Sequence, residues 1–467
     1  MQKVFGSCYP LDKQCYEKYK LTEEILMEHA ARGMASYIQS RFDKGSSLLI
    51  VAGAGNNGAD GIVLARQLYG EYKVRLMLPF GVRSEMAKLQ WQRAEALGIE
   101  AVEALEEADV IVDAVFGAGL NRPLNGATQK IIETLNTLKG FKIACDVPSG
   151  VSEKGQLLPM AFEADVTLTM GALKEALYLD ESKDHVGEVI CADLGIAAQY
   201  YEMQSRTSVL EACDLDVPGR SRAGTHKGSF GHAGVFCGEK EGAGIIAALA
   251  ASRYGAGLTT LIVHEVVQHP PHLMHATIVP EKTSALAIGM GLGGHFDSDF
   301  LKNDVIDSTL PVLLDADSFS HPELLSILEQ EEREIVITPH PKEFAAMWAL
   351  LTGECFSVEE VQSRRFEMAR MFSRRYPKVT LLLKGATMLI IQEERLCINP
   401  LGSAKLSKGG SGDVLSGLIA ALLAQGYSSM DAAIQGSLAL VMAAKQYRGA
   451  DYAMLSTDII DGLSSLK

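Results

Sequence analysis

Residues Lys408 to Leu423 read KGGSGDVLSGLIAALL, a glycine-dense turn that runs directly into an apolar segment with helical periodicity. This turn predicts a helix start whose exposed backbone N–H groups, with the helix dipole, bind an anion. Asp413 is the first acidic residue of that helix, and a carboxylate there can take a proton from a hydroxyl that faces a phosphate. The stretch therefore predicts phosphoryl transfer from a nucleotide to a small alcohol. The alternative interpretation is a tight turn before a helix, with no catalytic role.

The composition is that of a globular protein with more than one domain. The chain has 467 residues, of which 47% are hydrophobic and 22% charged. A formal charge of −15 argues against nucleic acid or an anionic membrane as the main partner. Eight scattered cysteines without a CxxC pair predict reduced thiols in a cytoplasmic protein. We expect neither a cleaved leader nor a membrane span, because no apolar run is long enough.

Apolar runs in the first half alternate with helix-like segments. This alternation predicts a parallel sheet with helices on both faces, a Rossmann-like doubly wound domain. The predicted strands are 48–54, 73–78, 109–115, 141–147 and 164–170, and the predicted helices include 84–97 and 126–138.

The pattern ends near Asp193, and the polar, less periodic residues 197–222 are interpreted as a linker and the entry to a second domain. Alternation then resumes with predicted strands 232–238, 258–263 and 285–289 and a helix at 242–254. The sequence thus predicts two tandem three-layer α/β domains, 1–205 and 206–467.

Three loops of the first domain follow successive strands: GAGNNGADG (53–61), FGAGLNRP (116–123) and DVPSG (146–150). In a doubly wound sheet they meet at the carboxyl edge, where ligands bind. The first loop does not match the full GxGxxG dinucleotide pattern. The loops instead carry oxygen groups that suit an alkali or alkaline-earth cation, although Asn and Asp also cap turns and helices. These groups are Asn56, Asn57, Asp60, Asp113, Asp146 and Ser149.

The same three motifs resemble those of the NAD(P)H-hydrate epimerases, the YjeF N-terminal family, over about residues 1–200. The resemblance implies that Asn57, Asp113 and Ser149 help hold a potassium ion and that Asp146 is the acid/base exchanging the R and S hydrates. It further implies that hydrated NAD(P)H is bound by Asn56, Asn57, Gly58, Ala59, Asp60, Gly117, Ala118, Gly119, Leu120, Asn121, Arg122, Pro123 and Asp146. Arg122 has two interpretations, a partner for a substrate phosphate or a structural ion pair.

Five further motifs precede the GGSGD turn in the second half: 225–238, GMGLGG (289–294), LDADSF (314–319), TPHPKEF (338–344) and LKGAT (383–387). In this order they resemble the ribokinase-like ADP- or ATP-dependent NAD(P)H-hydrate dehydratases, over about 206–467. The resemblance implies that the hydrate contacts Gly257, Gly291, His340 and Asp413. It implies that the adenine nucleotide is held by Lys384, Gly385, Ala386, Thr387, Met388, Gly409, Gly410 and Gly412. Two departures are DADSFSH, which lacks a usual amide, and the extra Lys408.

Together these resemblances imply a two-domain repair enzyme for hydrated NADH and NADPH. The first domain would interconvert the hydrates, and the second would dehydrate the S form with ADP or ATP and magnesium, releasing AMP and phosphate when ADP is the donor. A homo-oligomer is implied as well. One alternative is a ribokinase-like kinase for a vitamin or sugar with a ligand-sensing N-terminal domain. A third interpretation makes the N-terminal half a non-catalytic scaffold.

Overall fold

The computed structural model describes residues 1–264, 267–293 and 301–467. It forms two compact units, one of Gln2–Ser205 and one of Arg206–Lys467 together with Met1. Gly294, the last residue of the predicted GMGLGG motif, lies outside the described residues. None of the described helices has the length and apolar character needed to cross a membrane.

A parallel six-stranded sheet organises the N-terminal unit, with strand order β3-β2-β4-β5-β6-β8. Its central strands Ser47–Ala52 and Val110–Ala114 are almost entirely buried, as expected for a sheet covered on both faces, whereas the two edge strands are partly exposed. A separate parallel pair, β1 with β7, lies outside this sheet. The strands are β1 Gln2–Phe5, β2 Ser47–Ala52, β3 Lys73–Met77, β4 Val110–Ala114, β5 Phe141–Cys145, β6 Val166–Met170, β7 Leu173–Lys174 and β8 Glu188–Ala192.

Helices cover both faces of this sheet. The helices Glu23–Arg41, Asn56–Leu68 and Glu85–Ala96 pack in one apolar cluster with one face of the sheet, whereas Gly126–Thr137 contributes to a second cluster. Ser84 and Asn125 cap two of them, since each side chain accepts a hydrogen bond from a first-turn N–H. The remaining helical segments are Tyr9–Gln14, Cys15–Tyr19, Glu175–Tyr178, Lys183–Val186 and Ala198–Tyr201.

The C-terminal unit contains a mixed sheet in which the order is β12-β11-β10-β13-β14-β15-β16-β17-β18-β9. The strands from β10 to β16 pair with one another in parallel. β17 is antiparallel to both of its neighbours, β16 and β18. The strands are β9 Thr207–Val209, β10 His232–Phe236, β11 Leu258–Ile262, β12 Met274–Ala276, β13 Ala285–Ile288, β14 Val312–Leu314, β15 Ile335–Ile337, β16 Val379–Leu383, β17 Met388–Gln392 and β18 Arg395–Asn399.

The helix Ser411–Ala424 is the centre of the C-terminal core, and its residues Val414 to Ala424 are all buried. It packs closely on the helix Glu241–Arg253: a Cβ on Gly417 would lie 2.1 Å from the carbonyl oxygen of Ala247. Glycine is therefore required where these two helices approach. The other helical segments are Ala212–Asp214, Lys227–Phe230, Lys302–Ile306, Ala316–Ser320, Pro322–Leu325, Ser326–Glu329, Pro341–Thr352, Val358–Ser363, Arg365–Arg375, Ala404–Leu406, Ser429–Gln446, Asp451–Ala453, Ser456–Gly462 and Leu463–Ser465.

The predicted α/β alternation is confirmed in both units, with strand bounds that differ by a few residues. Residues 197–222, interpreted as a linker and the entry to a second domain, contain the helix Ala198–Tyr201 and the strand β9. β9 is only three residues long and pairs with β18 in parallel. A strand this short has too few side chains to show an alternating pattern, so its position depends on the distant strand that it pairs with.

Candidate active sites

Glycines allow the close approach of two loops at the carboxyl edge of the N-terminal sheet. A Cβ on Gly53 would lie 2.0 Å from the carbonyl oxygen of Val115, and one on Gly58 would lie 1.8 Å from that of Gly53. The loop after β2 therefore lies against the end of β4, and the helix Asn56–Leu68 starts at this point without a side-chain cap. Its first N–H groups stay available for an anion.

Asp113 and Ser149 form a buried pair beneath these loops. Ser149 donates from its backbone N and its Oγ to the two Asp113 carboxylate oxygens, at 2.7 and 2.6 Å. Burial raises the pKa of Asp113 to about 6, although the hydrogen bonds from Ser149 and Val115 oppose the shift. Within residues 1–264, 267–293 and 301–467, Asp113 has no salt bridge. A buried carboxylate without a cationic partner is favourable for a monovalent cation.

Asn57, the third predicted potassium ligand, lies nearby in the first turn of its helix. Its Oδ1 would be 2.9 Å from a Cβ on Gly117, and its buried Nδ2 has no partner among the described atoms. The described residues contain no group of three or more His, Cys, Asp or Glu side chains that could hold a metal ion. A cation here would therefore depend on amide, hydroxyl and backbone oxygens beside one carboxylate, which is typical for an alkali cation.

Asp146 directly follows β5 and has a left-handed backbone conformation, with φ of 70°. Lys174 Nζ lies 2.7 Å from its Oδ1, and the backbone N–H groups of Met170 and Ala118 each donate to the carboxylate at 3.1 Å. Burial would raise the pKa of Asp146, but the charge and hydrogen bonds of Lys174 and these donors hold it below its ordinary value. Asp146 is therefore ionised at neutral pH.

Asp60 has the opposite electrostatic environment. Burial and the negative charge of Asp146, followed by those of Glu23 and Asp12, raise the pKa of Asp60 well above its ordinary value. Asp60 and Asp146 line the same cavity. Two carboxyl groups with pKa values moved in opposite directions are suited to act as an acid and a base.

This cavity has a volume of about 950 Å³. It brings together Asn56, Asn57, Asp60, Asp146 and the residues Gly117, Ala118, Gly119, Leu120, Asn121 and Arg122. Five of the predicted residues do not line it: Gly58, Ala59, Asp113, Pro123 and Ser149. Gly58 and Ala59 are buried inside their helix, while Pro123 is exposed. Arg122 has no ion pair in the described part of the chain, so its structural interpretation gains no support.

Sequence reasoning missed part of this cavity. Lys174 was not predicted, and neither were Cys8, Asp12 and Tyr16 from the first segment of the chain, which also line it. Lys174 is only 4% exposed and stands in the mostly apolar run GALKEALYL. A lysine within such a run was the available signal, because a buried ammonium needs an anionic partner.

In the C-terminal unit, Asp413 lies in the first turn of the helix Ser411–Ala424 and is part-buried. Burial and the negative charge of Asp315 raise the pKa of Asp413 to about 6, whereas Lys384 opposes the shift. Lys384 Nζ lies 2.5 Å from Asp315 Oδ1, and Ser416 donates from Oγ to Asp315 Oδ2 at 2.7 Å. These contacts bring the ends of β14 and β16 to the glycine turn.

The glycine turn has the conformation that its sequence requires. Gly410 has φ of 93° and precedes the helix, and a Cβ on Gly412 would lie 3.5 Å from Lys384 Nζ. Gly409, Gly410, Gly412 and Lys384 are therefore together. Lys408, the lysine that departs from the motif of the dehydratases, donates from Nζ to the carbonyl oxygen of Tyr452 at 2.9 Å.

The other predicted residues of this unit fall into two groups. Gly291 and His340 follow β13 and β15, at the same carboxyl edge as Asp315, and the turn Lys384–Met388 follows β16. In that turn Thr387 and Met388 are buried, while Gly385 and Ala386 are exposed. Gly257 lies apart from these residues, because it precedes β11 at the opposite, amino edge of the sheet. There its N–H donates to Phe230, and a Cβ would lie 1.8 Å from the carbonyl oxygen of Lys227. Gly257 is explained by backbone packing.

The DADSFSH segment makes several hydrogen bonds at this edge. The backbone N of Gly293 donates to Asp317 Oδ2 at 3.0 Å, and His321 Nε2 lies 3.2 Å from the carbonyl oxygen of Gly293. Ser318 donates from Oγ to the carbonyl oxygen of Ile288 at 2.9 Å. These residues hold the loop after β13 against the end of β14.

Two family models match the chain: one described as NAD(P)H-hydrate dehydratase at residues 233–464, and one described as YjeF-related protein N-terminus at 23–176. The bifunctional NAD(P)H-hydrate repair enzyme Nnr of Helicobacter pylori is 39% identical over 478 residues, covering 100% of both chains. The protein of the same name from Coxiella burnetii is 32% identical, covering 96% of this chain and 95% of its own. The crystal structure of a Bacillus subtilis ADP/ATP-dependent NAD(P)H-hydrate dehydratase, co-crystallised with ATP and Mg²⁺, is 26% identical. It covers 54% of this chain and 93% of its own, with a TM-score of 0.46.

Proposed function

The chain belongs to the family of bifunctional NAD(P)H-hydrate repair enzymes, and from this premise we propose a specific division of its chemistry. The unit Gln2–Ser205 interconverts the R and S hydrates of NADH and NADPH. The unit Arg206–Lys467 dehydrates the S hydrate with ADP or ATP as the phosphoryl donor. The enzyme is thus an isomerase and a lyase in one chain.

Epimerisation uses Asp146 and Asp60. The hydrated nicotinamide ring carries its hydroxyl on the carbon beside the ring nitrogen, as a carbinolamine. Asp146, held ionised by Lys174, takes the hydroxyl proton while Asp60 supplies a proton to the nitrogen as the carbon–nitrogen bond opens. Closure on the other face of the carbonyl returns both protons and yields the second epimer. The opposite pKa shifts of these two carboxyl groups in one cavity support this assignment.

Dehydration uses Asp413 and the glycine turn. Asp413 takes the proton of the substrate hydroxyl as the oxygen attacks the terminal phosphorus of the nucleotide. The backbone N–H groups of Gly409 to Gly412 and the ammonium of Lys384 stabilise the transferred group. Phosphate then leaves the ring with the electrons of its carbon–oxygen bond, and solvent takes a proton from the adjacent ring carbon, which restores the dihydropyridine; ADP leaves as AMP or ATP as ADP. The single observation that carries this proposal is the position of Asp413 at the glycine turn beside Lys384 and Asp315.

Two cations complete the proposal. Potassium would be held by Asn57, Asp113 and Ser149, where it would compensate the buried carboxylate. Magnesium would arrive with the nucleotide phosphates and neutralise charge on them. Gly291 and His340 would contact the hydrate, whereas Lys384 to Met388 would hold the adenine nucleotide.

We further propose a cytoplasmic location and a homo-oligomeric assembly, with no nucleic acid partner. The eight cysteines form no disulfide in the described structure, and the chain is strongly acidic. The oligomer rests on the family resemblance alone.

The direct test is a coupled assay with a mixture of R and S NADH hydrate. The protein, supplied with potassium, magnesium and ADP or ATP, should restore the absorbance of reduced nicotinamide for the whole mixture. Recovery that requires no nucleotide, or transfer of phosphate to a sugar or vitamin in place of the hydrate, would contradict the proposal.

A further inference from the structure

The loop after β3 is held against the turn that precedes the helix Asn56–Leu68. The backbone N–H groups of Arg83 and Ser84 both donate to the carbonyl oxygen of Ala54, at 2.9 and 3.1 Å. Ala54 belongs to the turn between β2 and the helix Asn56–Leu68. Both Arg83 and Ser84 line the 950 Å³ cavity described above. The end of β3 therefore contributes directly to the wall of that cavity.

In a doubly wound sheet, the residues at the end of the strand next to the first one determine which dinucleotide is bound. When the helix after the first strand faces the pyrophosphate, the end of the next strand faces the adenosine ribose. An acidic residue there accepts from the ribose 2′-hydroxyl, whereas an arginine accommodates a 2′-phosphate. Residues 78–84 of this chain read LPFGVRS and contain no acidic residue. The loop therefore has the composition expected for a phosphorylated ribose.

The charge distribution favours the same ligand. Arg83 is exposed, and its guanidinium has no ion pair or hydrogen bond within the described residues. Ser84 Oγ accepts from the N–H of Ala87 at 3.1 Å, which leaves its own hydrogen to donate. The cavity wall also carries the cations Lys174 and Arg122 and the carboxyl groups of Asp12, Glu23, Asp60, Asp146 and Glu153, with Lys174 paired to Asp146. Of the three lining cations only Arg83 lies on the loop after β3, so a phosphate at that end of the cavity would pair with it.

We propose that Arg83 and Ser84 bind the 2′-phosphate of NADPH hydrate and give the N-terminal unit a preference for it over NADH hydrate. This inference rests on the proposed epimerase function and adds a substrate preference to it. Arginine suits the role because its planar fork donates two hydrogen bonds to one phosphate.

The test compares epimerisation of purified R NADPH hydrate and R NADH hydrate by the full chain, with no nucleotide added. In the wild type we expect kcat/KM for NADPH hydrate to exceed that for NADH hydrate about tenfold to a hundredfold, the range for a charge-assisted phosphate contact. R83Q should abolish this preference by raising the KM for NADPH hydrate, with kcat unchanged. K88Q is the matched control, because Lys88 is exposed and does not line the cavity. It should keep the wild-type ratio.

Equal use of the two hydrates by the wild type, or an unchanged ratio in R83Q, would overturn the inference. A second measurement separates it from the proposed function: titration of wild type and R83Q with adenosine 2′,5′-bisphosphate and with AMP. Weaker binding of the bisphosphate alone in R83Q supports the 2′-phosphate site, even if neither hydrate is epimerised. An equal loss of affinity for both probes in R83Q, or no loss of affinity for either, counts against the 2′-phosphate site.

Discussion

At the scale of single residues, two of the proposed active carboxylates, Asp146 and Asp413, lie beside a lysine–aspartate ion pair, and burial acts on both. Lys174 contacts Asp146 itself and keeps it ionised, whereas Lys384 contacts Asp315, whose charge raises the pKa of Asp413. The first arrangement suits a permanent base. The second produces a base that titrates near pH 6, close to physiological pH, where it can both accept and release a proton.

D413N should abolish dehydration while leaving epimerisation and the fold intact. The amide preserves the shape of the carboxylate but cannot accept the hydroxyl proton, and loss of a general base typically lowers kcat about a hundredfold to ten-thousandfold. Recovery of NADH from pure S hydrate with ADP or ATP measures the loss. Epimerisation by the same variant is the internal control. Near-wild-type recovery would show that Asp413 is not the base.

The pH profile of dehydration should have an acid limb near pH 6, because Asp413 must be ionised to act. The charge of Asp315 raises the pKa of Asp413 and that of Lys384 lowers it. D315N should therefore move the limb to lower pH, and K384Q should move it to higher pH. The measurement is kcat against pH at saturating nucleotide. Limbs that move in the same direction in both variants would contradict this electrostatic account.

At the scale of elements, sequence pattern predicted β2 to β6 of the first sheet and β10, β11 and β13 of the second, but it missed β8 and the helix Glu23–Arg41. Buried aliphatic runs such as those of β2 and β4 specify strands locally. The short strands β9 and β12 were missed, because their pairing is decided by distant partners. The motifs also predicted the loops at the carboxyl edges, but not Lys174, Arg83 or the first segment of the chain. Those residues join the cavity through tertiary contacts that no local spacing reveals.

Potassium should stabilise the N-terminal unit through the loops that carry Asn57, Asp113 and Ser149. The pKa of Asp113 rises from 3.8 to about 6 on folding, so the folded state binds more protons between these values and stability falls as pH rises through that window. Above pH 6 a cation beside the ionised carboxylate offsets the loss. We expect potassium to raise the unfolding temperature at pH 8 more than at pH 5, compared with a large organic cation.

D113N should remove this potassium effect, because it removes the buried charge. D184N, at an exposed position of the same unit, is the matched control and should respond as the wild type does. A potassium effect of the same size at both pH values, or one that persists in D113N, would count against an ion at this position.

At the scale of the whole molecule, the two units carry separate chemistry for one metabolite. Asp146 belongs to the N-terminal unit, directly after β5, and Asp413 to the C-terminal helix Ser411–Ala424. The family and both α/β folds were predicted from sequence and are confirmed. The roles of individual residues stay predictions, because a motif gives the type of side chain and not its protonation state. Independent action on a shared ligand requires no coupling between the units.

The most direct test of the account is the time course of D146A with mixed R and S hydrates and a nucleotide. The variant should convert pure S hydrate at the wild-type rate, since its C-terminal unit is unchanged. With the mixture it should show a fast phase that consumes the S form and then a long plateau, limited by slow spontaneous epimerisation. Wild type should run to completion. Consumption of both epimers by D146A at the wild-type rate would contradict the assignment of epimerisation to Asp146.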